Sequence, residues 1–338
     1  MVILITGATG YIGSHVTKEA LDRGHRVRVT ERVEGRATFL KSLPGAEEGL
    51  EVITMDLLDP TSISAGLQGV EAIIHTAALL PLDGVTGEEV VEASLAGTRN
   101  LLQAIDTHAP DLGRFIHTSS VAAIVGYGGP RRSSYGPEDW CEDGAEDNPY
   151  GHAKAQAERI LRSWWEAKPS DRRPHLCTIH PVTVLGPVMT ERHLRTSTPT
   201  AVDHIVRGRP RVLIPMQFDV VDVRDVARLH LDAMDTGVPG ERYIACTSSI
   251  SLGYMARASD PVLREAGRRA PRWTLPRFLS LVVLRWLRGL SNKEAKRRLS
   301  TDRHVFDRSL TDARFDIDWT DMEVSVADTT RSILHLID

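Results

Sequence analysis

Thr6-Gly7-Ala8-Thr9-Gly10-Tyr11-Ile12-Gly13 follows directly on four apolar residues, Val2-Ile3-Leu4-Ile5. No other stretch constrains the chain as tightly. A short unbroken apolar run before a glycine turn predicts a buried parallel strand. Beyond the turn, Val16, Ala20 and Leu21 share one helical face, and Gly24 marks its end. Strand, glycine turn and helix, in that order, are the context that dinucleotide binding requires. The glycines let the backbone turn tightly and approach a pyrophosphate, whose charge is balanced by the positive helix N-terminus. A tight turn that binds nothing satisfies the same glycines, so the rest of the chain has to decide.

Composition narrows the classes. At 338 residues the chain has room for a nucleotide domain and a smaller one. A net charge of −4 gives no footprint for nucleic acid. Cys141, Cys177 and Cys246 are odd in number and lack metal-ligand spacing. They suit a reducing compartment, and a cytoplasmic location is expected, with no metal. The first expected strand starts at residue 2, so no leader is expected before it. No apolar run reaches the length of a membrane span.

The glycine spacing is Gly-x-x-Gly-x-x-Gly with Thr6 before it. In this form the chain resembles the extended branch of the short-chain dehydrogenase/reductase superfamily. That branch includes the sugar-nucleotide epimerases and dehydratases, the dihydroflavonol reductases and the 3β-hydroxysteroid dehydrogenases. The resemblance implies an α/β fold: a Rossmann-type doubly wound parallel sheet with a small discontinuous C-terminal substrate lobe. It also implies that Gly7, Thr9, Gly10, Tyr11, Ile12 and Gly13 bind the cofactor. The nucleotide domain is expected over 1–187, with 216–235 returning to it. The lobe is expected over 188–215 and 236–338.

Later segments carry the resemblance on. A second strand is expected over Val27–Thr30, with Glu31 and Arg32 at its C-terminal end. A carboxylate there can bind ribose hydroxyls and repel a 2′-phosphate, whereas an arginine can pair with that phosphate. Glu31 matches the NAD-using epimerases and Arg32 the NADP-using dihydroflavonol reductases. Charge favours NAD, with NADP possible, and a solvated loop pair is the plain alternative. Asp56 and Leu57 follow a third strand at Glu51–Met55, where the family holds adenine, while Asp59 reads as a helix cap before Pro60. A fourth strand, Ala72–His75, runs into Thr76-Ala77-Ala78, similar to the family turn that lets the backbone pass along the cofactor. His75 reads as a structural hydrogen-bonder. Within a helix expected over Gly87–Asp106, Ser94 stands where the family has Asn, so an Asn-linked proton relay is not carried over.

The expected catalytic groups lie further on. Phe115-Ile116-His117 predicts a fifth strand, with Thr118-Ser119-Ser120 at its C-terminal edge, where open α/β sheets bind ligands. By resemblance Ser120 is the catalytic serine and Thr118 touches the cofactor. Ser119 is the neighbour it can be confused with, and backbone capping is the bland role for either. Tyr150 and Lys154 are four apart at the start of a predicted helix and so share a face. A free phenol titrates near pH ~10, and a nearby ammonium favours its phenolate. The pair can then exchange a proton with a carbinol or carbonyl oxygen. In the family the lysine also grips the nicotinamide ribose. His152 reads as a bystander. The segment Gly126–Asp147 resembles the part that shapes the substrate mouth, where Tyr127, Tyr135 and Trp140 either line the pocket or are structural.

After a sixth strand at Leu176–His180, the stretch His180-Pro181-Val182-Thr183-Val184-Leu185-Gly186-Pro187 resembles a family segment whose backbone meets the nicotinamide amide. It contributes His180, Pro181, Thr183 and Val184 to the expected cofactor set. Asp219–Ala227 resembles a returning strand and helix start, with Asp225 as an N-cap. Glu241–Ala245 resembles the stretch that follows it. The apolar run within Leu275–Leu290 is interspersed with arginines. It reads as a pocket wall or an oligomer contact, with a position on a membrane surface as the lesser alternative. Lys293–Arg298 reads as solvated.

The expected activity is hydride transfer between nicotinamide and a secondary alcohol or ketone, with Tyr150, Lys154 and Ser120 as the working set. A sugar-nucleotide epimerase or dehydratase is the first rival and a non-catalytic nucleotide sensor the second. A small-molecule substrate is expected. Family resemblance suggests a homodimer through the 87–106 and 150–166 helices.

Overall fold

The computed structural model describes residues 1–78, 85–126, 132–196, 199–209, 211–288 and 305–338. Side chains of Thr196 and of 283–288 are not among those described. Tyr127, Lys293–Arg298 and the end of the 275–290 run lie outside these residues.

The first unit comprises Met1–Val182, Arg224–Ala245 and Phe306–Ile317. In its N-terminal stretch, β1 (Val2–Thr6), α1 (Tyr11–Asp22), β2 (Arg26–Glu31), α2 (Ala46–Gly49), β3 (Leu50–Thr54) and α3 (Pro60–Gly66) alternate. They are followed by β4 (Ala72–His75), α4 (Gly87–His108), β5 (Arg114–Thr118), α5 (Pro149–Glu166) and β6 (His175–Pro181). The second unit comprises Thr183–Val223, Cys246–Val305 and Asp318–Asp338. It opens with β7 (Thr183–Leu185), α6 (His193–Thr196), α7 (Pro199–Val206) and β8 (Gln217–Asp222). The chain goes back to the first unit with α8 (Val223–Thr236) and β9 (Arg242–Ala245). β10 (Ser248–Ser251), α9 (Leu252–Glu265) and α10 (Arg277–Arg288) belong to the second unit, α11 (Ser309–Arg314) to the first, and α12 (Met322–Ile337) to the second.

The large sheet has the order β3-β2-β1-β4-β5-β6-β9, and every pairing in it is parallel. The strand order reverses between β1 and β4, the switch point at which ligands bind in open α/β sheets. The fold is therefore the Rossmann-type α/β sheet that the sequence predicts. Its central strands are apolar and buried on both faces, as parallel strands must be when helices cover both sides.

Register explains the layers. Leu4, Ile73, Phe115 and Leu176 are direct cross-strand partners. They form one core with Leu101, Leu102 and Ile105 of α4, Leu161 of α5 and Ile63 of α3. Two residues further along each strand the same face turns polar. Thr6, His75, His117, Thr178 and Arg242 are again direct partners, across five strands. A side-chain period of 2 along each strand puts this row on the face covered by α4 and α5.

The second unit has its own sheet, β10-β8-β7, with β8 antiparallel to β10 and parallel to β7. The units divide differently from the expected borders. The strand within 216–235 belongs to this small sheet, and only its following helix is in the first unit. Arg242–Ala245 is the seventh strand of the large sheet rather than part of the lobe, and 306–317 also belongs to the first unit. The first unit breaks after Val182 rather than 187. The strand β9 is only four residues long and carries an arginine, so apolar patterning alone could not mark it. Asp225 sits inside the first turn of α8, buried and paired with Arg228, rather than at its cap.

His117 tests the polar row. Its ring is buried and stacked on His75 with centroids 5.4 Å apart, and neither ring nitrogen has a hydrogen-bond partner among the described residues. Burial holds its pKa well below the usual value, so it is neutral. Removing an unsatisfied buried polar group recovers part of its desolvation cost, so His117→Leu should raise stability by about 1 kcal/mol. The urea midpoint measures this, and a clear loss of stability would mean that the ring is partnered.

Candidate active site

The glycine turn is held by close backbone approach. Gly7 has φ +74°, and a Cβ on it would lie 2.6 Å from the Ala77 amide nitrogen. A Cβ on Gly13 would lie 2.3 Å from the Gly7 carbonyl oxygen. Only glycine fits either place. Thr76 donates its hydroxyl to the Thr6 carbonyl, 2.8 Å, which locks the β4 edge against the turn. Gly10 is exposed at the N-cap of α1, with no side-chain cap and no acidic residue in the first turn. No side chain of the cap residue competes for the first amides of α1, the kind of helix start that suits an anion. Thr9 and Ile12 are half-buried beside them. Tyr11 is buried edge-on against His15, centroids 5.7 Å apart, so only its backbone is available to a ligand.

The adenosine end differs from expectation. The Glu31 carboxylate turns inward and accepts from the backbone amides of Gly35, 3.0 Å, and Ala37, 2.6 Å. It is spent on closing its own loop. Arg32 is exposed, with no hydrogen bond or ion pair among the described residues. Asp56 accepts from the Leu58 amide through one oxygen, 2.9 Å, leaving the other open. Leu57 packs against Gly97, and Asn100 donates to its carbonyl, 2.8 Å. Asp59 caps α3 through the Thr61 amide, as expected. Ala77 and Ala78 lie at the open β4 edge.

Ser120 and Ser119 separate cleanly. Ser119 is buried and donates to Glu158, 2.7 Å. Ser120 accepts from the Ala122 amide, 3.1 Å, as the cap of the 121–123 turn. That leaves its own hydroxyl proton to donate outward. The turn meets the start of α5 at Gly151, where a Cβ would lie 2.8 Å from the Ala122 carbonyl. Asn148 caps α5 through the Gly151 amide, 3.1 Å, with Pro149 in the first turn. Tyr150 therefore sits half-buried in the first turn, and Lys154 one turn further on the same face. Lys154 donates to the Thr118 carbonyl, 2.9 Å. One end of β5 thus gathers all three residues: Lys154 touches the residue two before Ser120, and Gly151 meets the residue two after it.

The Thr118 hydroxyl proton is committed within the fold. The Thr118 hydroxyl lies 2.7 Å from His230 Nε2, while His230 Nδ1 lies 2.7 Å from the Val226 carbonyl. His230 is neutral, its pKa lowered to about 4 by burial. With Nδ1–H donating, Nε2 accepts the threonine proton.

Beneath Lys154 lies a group that the sequence pattern did not reveal. Glu158 is fully buried, one further turn along the Tyr150–Lys154 face. It accepts from Ser119, from His180 Nε2, 2.8 Å, and from Arg242 Nε, 2.6 Å. Arg242 also donates to the carbonyls of Pro137 and Asp139, and its guanidinium lies 3.9 Å over the Trp140 ring. Burial works against the Glu158 charge, but His180 and Arg242 outweigh it and hold its pKa well below the usual value. Burial lowers Lys154 to about 8, partly offset by the Glu158 charge. His75 falls to about 3, again mainly from burial, and is placed by Thr6 Oγ1, 2.7 Å, as a structural group. The His180 ring is buried, with Nε2 committed to Glu158 and Nδ1 without a hydrogen-bond partner among the described residues. Pro181 ends β6, paired with Ala245. Thr183 and Val184 belong to the second unit, paired with Val220 and Val221. The i, i+4, i+8 spacing of 150, 154 and 158 was the available signal for Glu158.

The described part of the 126–147 segment is braced from within. Tyr135 is buried near Phe306, centroids 6.4 Å apart, Trp140 lies beneath Arg242, and His152 Nδ1 lies 2.9 Å from the Asp143 carbonyl. The cysteines Cys141 and Cys177 are inert: burial raises the first, and raises the second to about 12. Among the described residues no cluster could hold a metal and no helix is long and apolar enough to cross a membrane.

The sequence model of the NAD dependent epimerase/dehydratase family matches residues 3–246. The chain is 30% identical over 279 residues to sterol demethylase protein B of Methylococcus capsulatus, covering 82% of this chain and 78% of that one. It is 31% identical over 265 residues to cinnamoyl-CoA reductase 1 of Petunia hybrida, covering 75% and 74%. The yeast methylglyoxal/isovaleraldehyde reductase, solved with NADPH, superposes with a TM-score of 0.82 at 19% identity over 99% of this chain and 98% of that one. The chain belongs to the NAD-dependent epimerase/dehydratase family. It is an NAD(P)-dependent oxidoreductase of the extended short-chain dehydrogenase/reductase type.

Glu158 makes a prediction that needs no substrate. Glu158→Gln leaves Arg242 buried without a full countercharge and should cost about 3–5 kcal/mol at neutral pH. Because the folded-state pKa is depressed, this stability is fully present above the ordinary value of 4.5 and is lost as pH falls through the folded value. Denaturant titrations of both proteins at pH 7 and pH 3 measure it: the gap should be wide at the first and narrower at the second.

Proposed function

We propose that the protein reduces a ketone to a secondary alcohol, or runs the reverse, with Tyr150, Lys154 and Ser120 as the catalytic set and NADP(H) as the preferred cofactor. The observation that carries this reading is Lys154 anchored on the Thr118 carbonyl at the open end of β5, one turn from Tyr150. A binding module has no need of Tyr150 and Lys154 together.

The bound dinucleotide supplies a hydride at its nicotinamide. The protein supplies everything that happens at the substrate oxygen. Ser120 donates a hydrogen bond to that oxygen, its Oγ held by the Ala122 amide. Tyr150 gives the oxygen its proton as the carbonyl carbon gains hydride, so that C=O becomes CH–OH. The ammonium of Lys154 stabilises the phenolate left behind. One Lys154 proton is spent on Thr118 and two remain for other acceptors. Around the dinucleotide, Gly7, Gly10 and Gly13 bring backbone close to the diphosphate, Asp56 and Leu57 flank the adenine, and Thr76, Ala77 and Ala78 border the turn.

Cofactor choice follows from where two side chains point. A free carboxylate at 31 would repel a 2′-phosphate, but Glu31 is tied to two amides. Arg32 is open to pair with the phosphate. The named activities of relatives, vestitone reductase of Medicago sativa and the cinnamoyl-CoA reductases, point the same way on net reduction. The same reading includes a cytoplasmic location and a homodimer through α4 and α5.

Three outcomes follow. Tyr150→Phe should lower kcat by about a thousandfold or more with the fold intact, read as NADPH absorbance against a ketone panel. Conversion of a sugar nucleotide without net NADPH loss would instead identify an epimerase. The kcat/KM profile should fall on the alkaline side with an apparent pKa of about 8 in the free enzyme, as Lys154 loses its charge. Arg32→Ala should raise KM for NADPH about tenfold and leave NADH nearly unchanged, since one charge-assisted contact is lost. Equal effects on both cofactors would reject the 2′-phosphate assignment.

A further inference from the structure

The second unit carries an exposed apolar cluster that the reductase reading does not use. Trp273 is 80% exposed, Phe278 67%, Val282 56% and Leu279 41%. Among the described residues, Trp273 and Phe278 are the only large aromatic side chains this open. Phe278, Leu279 and Val282 lie within one turn of α10 and share its outer face, while Ser280 points to the other side and is buried. An ordinary surface helix turns its apolar stripe inward, so this start of α10 is inverted.

The cluster is not a loose loop. The Leu213 amide donates to the Trp273 carbonyl and the Leu275 amide to the Leu213 carbonyl, both 2.8 Å. Thr274 and Leu213 form a β-bridge. The backbone on both sides of Trp273 is thus fixed, with the indole facing outward.

Charge surrounds the cluster. Between 264 and 282 the chain has five arginines, 264, 268, 269, 272 and 277, against one acidic residue, Glu265, although the whole chain carries −4. Arg264, Arg269, Arg272 and Arg277 are exposed. Asp260, just before, is shared by Arg264 at 2.6 Å and Arg272 at 3.3 Å. Arg269 has no ion pair among the described residues.

We infer that this face, Trp273 with the outer side of α10 and its arginines, docks on an anionic phospholipid surface. The arginines meet the headgroups and the four apolar side chains enter the boundary between headgroups and acyl chains. A second copy fits less well. A twofold contact would bring the same arginines face to face, with Glu265 and the already paired Asp260 and Asp338 as the nearby carboxylates. The indole and the guanidinium stems are the side chains that lie well at such a boundary.

Co-sedimentation with vesicles tests the inference. The whole chain is acidic, so general attraction to anionic lipid is not expected. The wild-type protein should bind vesicles of phosphatidylcholine with phosphatidylglycerol, and bind phosphatidylcholine alone at least about tenfold more weakly. Trp273→Ser with Phe278→Ser should weaken binding by about tenfold or more, with unchanged circular dichroism and melting temperature, because both side chains are exposed. Arg269→Glu should weaken it further and more steeply at low salt. Three results would overturn the inference: no binding to anionic vesicles at low salt, equal binding by the double variant, or a dimer in sedimentation velocity that the double variant dissolves.

Discussion

The buried ion pair of Glu158 and Arg242 is the interaction on which the arrangement of the site depends. A carboxylate with no exposure survives in a protein interior only when it is paired and its lone pairs are filled. Here the partners come from three strands. Ser119 closes the end of β5, His180 lies on β6, Arg242 on β9, and the carboxylate itself on α5. Arg242 passes the constraint on to the carbonyls of Pro137 and Asp139 and to the face of Trp140. Moving α5 by about an ångström would break several charge-assisted bonds at once. The helix that carries Tyr150 and Lys154 is thereby fixed against the strand end that carries Ser120, by contacts that do not involve any of the three.

The same pair has an electrostatic consequence. Burying Lys154 favours loss of its proton, and a sheet face of ordinary aliphatic residues beneath it would offer nothing to oppose that. Glu158 supplies the opposing charge, while His75 and His117 in the row below stay neutral because burial and the lysine both disfavour their protonation. The row is therefore a set of groups whose charge states are decided jointly. One anion and one arginine carry the fixed charge, the histidines carry none, and the lysine is left near its midpoint in mildly alkaline solution.

How much of this could be read from sequence depends on the range of the interaction. The glycine turn, the cap at Asp59 and the Tyr150–Lys154 face are local patterns, and local patterns were legible. So was the parallel sheet, since continuous apolar runs alternate with helical ones. The polar row was not legible, because Thr6, His75, His117, Thr178 and Arg242 are brought together only by the register of five strands. Strand β9 was placed in the wrong unit for the same reason. Its arginine looks solvated until the carboxylate on α5 is known. Ser119 and Ser120 are told apart in the sequence only by resemblance, because the group that occupies Ser119, Glu158, lies 39 residues away.

Glu31 shows why residue type alone misleads at a binding edge. An acidic side chain at the end of the second strand reads as a receptor for ribose hydroxyls. In the folded chain its two oxygens accept from Gly35 and Ala37, so the loop that follows β2 is the ligand. Releasing the carboxylate to meet a cofactor would leave two backbone amides without partners, one of them buried. The free energy lost there is comparable to what a hydrogen bond to the ribose would return. The loop therefore competes with any ribose for the same acceptor, and it competes intramolecularly. That competition leaves the neighbouring arginine, which is exposed and has no rival partner among the described residues, as the side chain of the pair free to meet a ligand. The charge pattern of the pair is unchanged between sequence and structure; what changes is which of the two is free to act.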